Sequence, residues 1–451
     1  MVAVVAGALV ASPAAALTYA GRVREQVLPN GLKLLLLEEH KAPVAVFQVW
    51  YRVGLRNETL GRTGLSHLLE HMMFKGTEKV GPEEYSKIIQ RNGGNTNAFT
   101  TQDYTTYFAT MASDRIGVVN ELEADRMAHL QFQEDLFAPE RQVVMEERRL
   151  RTDDSPVAAL FEAISAAAYT AHPYGWPVIG WMEDIRQSRL ADLKEYFQQY
   201  YTPNNAVVIV AGDFDTAQLA AAIEKAFGAI AAGSPPPPVR AVEPPQQGER
   251  RVTVRREAQL PFVGLAYHVP NLHQPDAAAI EVLAGVLAGG KSARLYRELV
   301  YRRRLAREAN GSYEYTSKDP GTFTLYAQPL PGKTPAELER ALLAEIKKLQ
   351  SKPPSEREVE KAKNGIEAGF VFAQDSLFYQ ALLLGQYEIA GDWRLIDQYL
   401  PRVRAVSAED VRRVAATYLI ADNLTAGVLD PLPPQPGKRM APAPAPHGMV
   451  H

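Results

Sequence analysis

Two histidines and a glutamate lie within five positions of the chain, in the segment HLLEH at residues 67–71. The spacing of the apolar residues around them predicts a helix over residues 64–74. In such a helix His67, Glu70 and His71 share one face, and the leucines and methionines occupy the opposite face. Two imidazoles at positions i and i+4 can bind the same ion. The pattern predicts a metal site, and the alternative is that the two histidines are neighbours by coincidence.

The composition narrows the choice of ligands. The sequence contains no cysteine, which excludes disulfides and thiolate metal sites, so any metal must be held by imidazole and carboxylate groups. Zinc, manganese and iron all accept these ligands. A catalytic zinc takes three protein ligands and keeps one position open, so a third ligand must come from another segment.

The segment PERQVVMEERRL, residues 139–150, offers that ligand. Pro139 suits the first turn of a helix, which we predict over residues 139–152. The apolar residues of this helix predict one buried stripe, formed by Val143, Val144 and Leu150. Glu147 lies in the middle of the stripe, where a carboxylate must be paired, protonated or bound to a metal. Glu146 lies at the margin of the stripe, where water can solvate it.

Two interpretations of Glu147 remain open from the residues alone. It is either the third metal ligand or one partner of a buried salt bridge with Arg148, Arg149 or Arg151. If it is a ligand, Glu70 is free to act as a general base on a metal-bound water. Glu140, two turns before Glu147, is then placed to support catalysis by orienting a ligand histidine or the water.

The elements that carry these residues indicate an α+β fold. A hairpin with an Asn30-Gly31 turn opens the first half, and helical patterns and a strand near 204–214 follow. A Pro-rich segment at 231–250 reads as a linker, after which a similar order of strands and helices returns. We predict two similar domains at 21–230 and 251–430, each an antiparallel sheet of about six strands with helices mainly on one face, and a disordered Pro/Ala-rich tail at 431–451.

The net charge and the first residues bear on the compartment and the partners. A formal charge of -3 without any long basic block gives no support for nucleic-acid binding. Residues 1–20 are apolar and rich in alanine, which indicates a secretory signal peptide and export to a bacterial periplasm. The alternative is a disordered leader. The run is too short and weak to predict a stable membrane span.

Three motifs together resemble a known family of enzymes. The segments HLLEHMMFKGT (67–77), NGGNTNAFTTQDYTTYF (92–108) and ERQVVMEE (140–147) are similar in order and spacing to the pitrilysin-like M16 zinc metallopeptidases. These enzymes carry H-x-x-E-H, the inverse of the H-E-x-x-H motif. The likeness is greatest to bacterial relatives of the mitochondrial processing peptidase, in which each chain forms a two-domain half-clamshell.

The resemblance implies one Zn²⁺ per chain on His67, His71 and Glu147, with Glu70 as base and Glu140 in support. It also implies that the segment GGNTNAFT forms an edge strand that pairs with an extended peptide substrate. Asn97 and Ala98 match positions that contact the substrate backbone, and we add Phe99 to the predicted substrate-binding set. Without the resemblance, Gly93 and Gly94 at the start of this segment would indicate only a turn.

The sequence departs from the family in its second half. Active single-chain members and the helper subunits of two-chain members carry an arginine and a tyrosine, seven positions apart, that bind substrate and polarise its carbonyl. Here Val300 and Arg307 stand at these positions, in the segment LVYRRRLAR. The alternative is a shifted register in which Tyr301, Tyr313 or Tyr315 substitutes for the family tyrosine. We therefore predict a heterodimer whose other subunit supplies the pair, with a homodimer as the second choice. The alternatives are a non-catalytic scaffold subunit and a metal-dependent hydrolase of non-peptide substrates.

Overall fold

Two β-sheets, one in each half of the chain, organise the molecule. The computed structural model describes residues 18–433 of the 451 residues. The first sheet contains the strands β1 (Val23–Val27), β2 (Lys33–Glu38), β3 (Val44–Tyr51), β4 (Asn95–Thr100), β5 (Thr105–Ala112) and β6 (Ala206–Gly212). The second sheet contains β7 (Arg250–Glu257), β8 (Phe262–Val269), β9 (Ala306–Tyr313), β10 (Gly321–Pro329) and β11 (Leu424–Leu432).

The helices divide between the two halves in the same way. Those that precede the segment 231–249 are α1 (Tyr19–Arg22), α2 (Leu65–Met72), α3 (Glu84–Arg91), α4 (Ile116–His129), α5 (Glu134–Arg148), α6 (Pro156–Ala168), α7 (Met182–Gln187), α8 (Leu190–Tyr200) and α9 (Thr216–Phe227). Those that follow it are α10 (Ala277–Ala288), α11 (Pro335–Ser351), α12 (Glu356–Ala373), α13 (Leu377–Ala390), α14 (Ile396–Ala405) and α15 (Ala408–Tyr418).

The sheets confirm the predicted α+β class, but they are not purely antiparallel as predicted. The strand orders are β1-β2-β6-β3-β5-β4 and β7-β11-β8-β10-β9, so the second sheet has five described strands. Each sheet is mixed, because β6 runs parallel to β2 and β11 runs parallel to β7. In both sheets a late strand inserts between two earlier strands that are joined by a short connection and run in opposite directions. A strand in that place is necessarily parallel to one of its neighbours.

Most helices pack on one face of the sheet in their own half, and alternating residues of the strands supply the two faces. Leu34, Leu36 and Phe47 belong to the main core of the first half, with residues of α2, α4, α5, α8 and α9. Leu35 and Trp50 point to the opposite face. The second sheet packs in the same manner against α10, α11 and α15.

One helix from each half covers the outer face of the other half's sheet. Leu160 and Ile164 of α6 pack against Phe262 and Leu429 of the second sheet. In return, α13 packs against β3 and β6 of the first sheet, where Trp50 is fully buried. The sequence pattern predicts one helix over 355–392, but the chain breaks it at 374–376 and starts α13 anew with a cap. We call α6 and α13 the exchanged helices.

Two glycines provide a test of this packing. A methyl group on Gly385 of α13 would lie 2.2 Å from atoms of the Trp50 ring, whereas one on Gly369 of α12 would meet open space. We expect Gly385→Ala to destabilise the protein by about 1–3 kcal/mol through overpacking. Gly369→Ala should be neutral or stabilise it by up to about 1 kcal/mol through helix propensity. Urea unfolding of both variants checks this, and equal effects would contradict the packing of α13 on Trp50.

The first described residues are packed against the second half. Tyr19 is buried, and its backbone N–H donates to Asp397 Oδ1 at 2.8 Å. Residues 18–20, which fall inside the predicted leader, therefore belong to the folded chain. The rest of that leader and the tail from residue 434 lie outside the described residues. Across residues 18–433, no helix combines the length and the apolar character needed to cross a membrane.

Candidate metal centre and active site

The helix α2 is fixed at its N-terminus by a buried carboxylate. Glu58 accepts hydrogen bonds from the backbone N–H groups of Gly64 and Ser66, each at 2.7 Å. These are two of the donors that a helix start leaves free. Burial raises the pKa of Glu58 to about 7 despite these bonds. Gly64 has φ 86°, and a Cβ there would lie 2.5 Å from the Ile179 carbonyl oxygen, so the turn into the helix requires glycine.

Glu58 was not predicted to belong to the site. The sequence does not show that Glu58 caps this helix, because it lies six residues before Gly64 and reaches the helix only through the intervening turn. The opposite face of α2 buries Leu65, Leu68 and Leu69 in the main core. The cap and the apolar face together orient the polar face of α2.

The structure brings His67, His71 and Glu147 together. One ligand atom from each lies within 4.8 Å of the others. The Glu147 Oε2 atom is 3.2 Å from His71 Nε2 and 3.8 Å from His67 Nε2. Two imidazoles and one carboxylate are the donor set of a catalytic zinc site with an open position.

The environment of His67 also fits a metal ligand. His67 is buried, and among the described residues its Nδ1 atom has no hydrogen-bond partner. Its Nε2 atom is too far from Glu147 for a hydrogen bond. Burial lowers the pKa of His67 to about 4, so the ring is neutral at neutral pH and has a lone pair for a cation. The residues present therefore fit a divalent metal such as zinc.

The helix that carries Glu147 differs from its prediction. It begins at Glu134, so Pro139 lies inside it rather than in its first turn. Val144 is buried as expected, but Val143 and Leu150 are exposed, so the predicted stripe is not buried throughout. Both exposed residues line the same cleft as Glu147. A hydrophobic pattern cannot distinguish a face that lines a cleft from one that enters the core, because both are apolar.

Two further side chains hold the candidate ligands. The Nδ1 atom of His71 and Oε1 of Glu140 are 2.8 Å apart, and Lys75 Nζ donates to Glu140 Oε2 at 2.6 Å. Glu140, predicted as catalytic, is not among the residues lining the cleft, so it can act only through His71. Lys75 was not predicted, because it follows the end of α2 at Met72 and no helical spacing relates it to His71.

Both interpretations of Glu147 have support in the geometry. Its Oε2 atom faces the two histidines, while its Oε1 atom forms an ion pair with Arg151 Nη1 at 2.7 Å. Arg151 lies in a short π-helical turn, Arg149–Asp153, that directly follows α5. Since a carboxylate has two oxygens, Glu147 can bind a metal and keep its arginine partner.

In the absence of a metal, a proton on His71 occupies the place that a metal ion would take. Burial alone would lower the pKa of His71, but its hydrogen bonds to Glu140 and Glu147 raise that pKa to about 9. Burial would likewise raise the pKa of Glu147, yet the bond from His71 brings it below its ordinary value. Without a metal, the proton on His71 Nε2 compensates the Glu147 charge. A cation bound there must displace this proton.

Glu70 lies in the same cleft but is not one of the grouped ligands. Thr100 Oγ1 donates to Glu70 Oε2 at 2.6 Å, which orients the carboxylate and leaves its other oxygen available. Burial raises the pKa of Glu70, which moves a carboxylate toward the range suited to a general base. Thr100 is the last residue of β4, so the base and the edge of the first sheet are in direct contact.

The cleft has a volume of about 1110 Å³ and is bordered by that sheet edge. The predicted substrate-binding residues Asn97, Ala98 and Phe99 line it together with His67 and Glu70. In the described chain β4 pairs only with β5 and ends the sheet. The Ala98 backbone N–H donates to the Asn97 side-chain oxygen at 2.9 Å. One free edge is therefore available to pair with an extended peptide.

The positions expected for the Arg/Tyr pair are not in this cleft. Every residue that lines the cleft comes from the first half of the chain. Val300 packs against the core of the second half, and Arg307 is exposed on β9. The three nearby tyrosines do not line this cleft either. Tyr301 is exposed, Tyr313 donates to the Pro270 carbonyl oxygen, and Tyr315 is buried in a core.

Comparison with known proteins places this chain in a family. Residues 33–180 match the family model described as insulinase, peptidase family M16, and residues 189–366 match the model of the peptidase M16 inactive domain. The chain is 34% identical over 420 residues to the zinc protease PqqE of Helicobacter pylori, covering 92% of this chain and 94% of that protein. The chain belongs to the M16 peptidase family.

Other M16 relatives agree with this assignment. An uncharacterized zinc protease of Mycobacterium bovis is 31% identical over 427 residues, which is 93% of this chain and 95% of the relative. The crystal structure of a protease from Helicobacter pylori, at 34% identity, superimposes with a TM-score of 0.88 and covers 91% of this chain and 99% of the other. The M16 fold and the naming of relatives as zinc proteases thus match the predicted fold and the predicted class of metal site.

Proposed function

We propose that the chain is a zinc-dependent endopeptidase that cleaves extended peptides or unfolded segments of proteins. The observation that carries the proposal is the convergence of His67, His71 and Glu147 in one cleft beside Glu70 and the free edge of β4. A metal triad by itself is consistent with many hydrolytic reactions. The adjacent sheet edge adds a binding mode that only a polypeptide can use along its full length.

The residues of the cleft have separate roles in the proposed reaction. A bound zinc would lower the pKa of its water and polarise the substrate carbonyl. Glu70 accepts the proton of the attacking water and returns it to the leaving amine, and Thr100 holds the other carboxylate oxygen during the transfer. Glu140 accepts a hydrogen bond from the Nδ1–H of His71, which leaves Nε2 free to coordinate, and Lys75 balances the charge of Glu140.

Metal content and cleavage, measured on one preparation, test the proposal. We expect about one zinc per chain by mass spectrometry of the metal. Cleavage of fluorescein-labelled casein, an unfolded protein, should disappear with a chelator and return with Zn²⁺. Folded proteins without extended segments should resist. A metal-free chain that cleaves casein at the same rate would refute the proposal.

We also propose that a homologous subunit completes the active site. Loss of one donor that stabilises the developing oxyanion costs about 100- to 1000-fold in rate, and this chain has Val300 and Arg307 where the family pair would stand. The assay compares the purified chain alone with the chain mixed with a homologous M16 subunit that carries the Arg/Tyr pair. A large increase on mixing supports the heterodimer, an increase with concentration of this chain alone supports a homodimer, and full activity as a monomer refutes both.

The two alternative functions predict different results in the same assays. A scaffold subunit of this fold would form a complex without binding zinc tightly, and it has no need for a carboxylate held by Thr100 in the cleft. A hydrolase of non-peptide substrates would bind zinc but would not need a free sheet edge. Zinc binding combined with casein cleavage therefore separates the proposed peptidase from both.

Export to a bacterial periplasm is a further part of the proposal. It rests on the apolar, alanine-rich start of the sequence. The processed form should begin no later than residue 18, because Tyr19 is packed against Asp397. Sequencing the N-terminus of the protein from a periplasmic extract tests this, and an unprocessed N-terminus in the cytoplasmic fraction would contradict it.

A further inference from the structure

A network of buried and half-buried polar groups joins the two halves of the molecule near the end of β4. It connects the turn between β4 and β5 to the loop between β9 and β10. We call it the Asp103 network, and its members are Arg56, Asp103, His172, Tyr174, Lys318 and Asp319. No member belongs to the metal site or lines the substrate cleft.

Asp103 is the point at which this network meets the first sheet. Its side chain is buried, and both oxygens are used. Tyr174 O–H donates to Oδ1 at 2.6 Å, and the Lys318 backbone N–H donates to Oδ2 at 2.9 Å. The Asp319 backbone N–H in turn donates to the Tyr174 oxygen at 3.1 Å. A carboxylate from the first half is thus held by the backbone of the second half.

Asp319 ties the same loop to two more groups of the first half. Its carboxylate accepts from the Arg56 guanidinium and from His172 Nε2, the latter at 3.0 Å. Burial would raise the pKa of Asp319, but these two bonds hold it well below its usual range. His172 Nδ1 accepts from the Tyr174 backbone, which fixes the tautomer that donates to Asp319. Asp319 is therefore ionised, and these bonds fix the orientation of its partners.

The turn that contains Asp103 is also clamped from the side of the first half. The Thr101 carbonyl oxygen accepts from the Leu55 backbone at 3.2 Å, and the Gln102 carbonyl oxygen accepts from the Arg56 backbone at 2.8 Å. A Cβ on Gly54 would lie 2.5 Å from the Thr101 carbonyl oxygen, so the two turns are in backbone contact. Asp103 supplies the second clamp, from the opposite side.

Two hydrogen bonds connect the candidate base to the second half: the bond from Thr100 to Glu70, and the bond from Lys318 to Asp103. Thr100, whose hydroxyl holds Glu70, immediately precedes the clamped turn. We infer that the second half positions the peptide-binding edge of β4 and the Glu70 carboxylate through Asp103. Asp103 is then a positioning residue, and the inference rests on the proposed peptidase function. It gives the half that matches the M16 inactive domain a role inside the active site of its own chain.

The competing explanation is that the network only docks the two halves together. A second buried ion pair between the halves provides the matched control, because Glu388 of α13 accepts from Lys33 at 2.8 Å and from Arg52 at 2.6 Å. Its side chain is as deeply buried as that of Asp103. These contacts involve β2 and the end of β3, and none involves β4 or its turn. Loss of docking alone should therefore affect variants at both places equally.

The test compares Asp103→Asn and Asp319→Asn with Glu388→Gln. In Asp103→Asn one of two used acceptor oxygens is replaced by an amide N–H₂ group that opposes a donor. In Asp319→Asn the amide oxygen can still accept from Arg56 and His172, but the negative charge that pairs with Arg56 is lost. We expect the KM for fluorescein-labelled casein to rise by about 10-fold or more in both network variants, with kcat also reduced and the zinc content unchanged. Glu388→Gln should leave KM and kcat near those of the wild type, even if its thermal midpoint falls as far.

Hydrogen exchange gives a reading that does not depend on activity. The backbone amides of residues 95–105 should exchange faster in Asp103→Asn than in Glu388→Gln at matched distance from the thermal midpoint. If exchange, KM and kcat respond alike in network and control variants, the positioning role is wrong. If the wild type cleaves nothing even when a homologous subunit is added, but exchange at β4 follows Asp103, the peptidase function fails while the structural coupling stands.

Discussion

Glu70→Gln should leave zinc bound and reduce kcat for peptide cleavage by about 100- to 10,000-fold. The glutamine amide keeps the size of the side chain and can still accept the hydrogen bond from Thr100. It cannot accept a proton from water, so the transfer step loses its base. Because Glu70 lies outside the grouped ligands His67, His71 and Glu147, the metal content should not change. Metal analysis and steady-state cleavage of a quenched fluorescent peptide measure both quantities.

A graded comparison strengthens the test of Glu70. Thr100→Val keeps the shape of the side chain and removes one hydrogen bond to the carboxylate. It should reduce kcat by about 10-fold, the cost of one bond to a charged group. The order wild type, Thr100→Val, Glu70→Gln should hold at any saturating substrate concentration. Wild-type activity in Glu70→Gln would remove Glu70 from the mechanism while leaving the metal assignment intact.

Glu147→Gln should weaken zinc binding by at least about 100-fold and abolish cleavage at limiting zinc. Loss of a partner that merely orients a ligand already costs about 10- to 100-fold in affinity, and Glu147 itself faces both imidazoles. The neighbouring Glu146 is the matched control. Its side chain is 63% exposed and pairs with Arg149 rather than with a histidine. Glu146→Gln should bind zinc as the wild type does.

Competition with a fluorescent zinc chelator measures the affinities of both variants. The apoprotein of Glu147→Gln should be the less stable of the two, since it loses the charge that pairs with His71. Zinc added to saturation should restore part of the activity of Glu147→Gln. Equal affinities in Glu146→Gln and Glu147→Gln would show that the third ligand lies elsewhere.

The sequence was sufficient where chemistry and periodicity are local. His67 and His71 lie one helical turn apart, so their shared face follows from helix geometry alone. Glu147 was selected correctly as a residue that shares a site with them, but for a partly wrong reason. Its apolar neighbours Val143 and Leu150 line a cleft and are exposed. Only the packing of the whole domain decides whether an apolar face meets the core or a ligand.

Features that depend on distant parts of the chain could not be predicted. The parallel pairs arise because β6 and β11 insert between strands formed much earlier in the sequence. Glu58, Lys75 and Asp103 each hold a site element through contacts whose partners no short-range pattern identifies. The break between α12 and α13 was missed because apolar residues continue on both sides of it. Tertiary contacts override local preference at all of these places.

The exchanged helices bear on how the protein is made. A ribosome completes α6 long before it completes the sheet that α6 covers, because β11, which lies between β7 and β8, is the last strand of the described chain. Likewise, Trp50 and its neighbours on the outer face of the first sheet have no cover until α13 has been synthesised. Neither half can bury its apolar surface as an independent nascent domain. We expect the growing chain to remain open to chaperones, and to aggregation, until translation is almost finished.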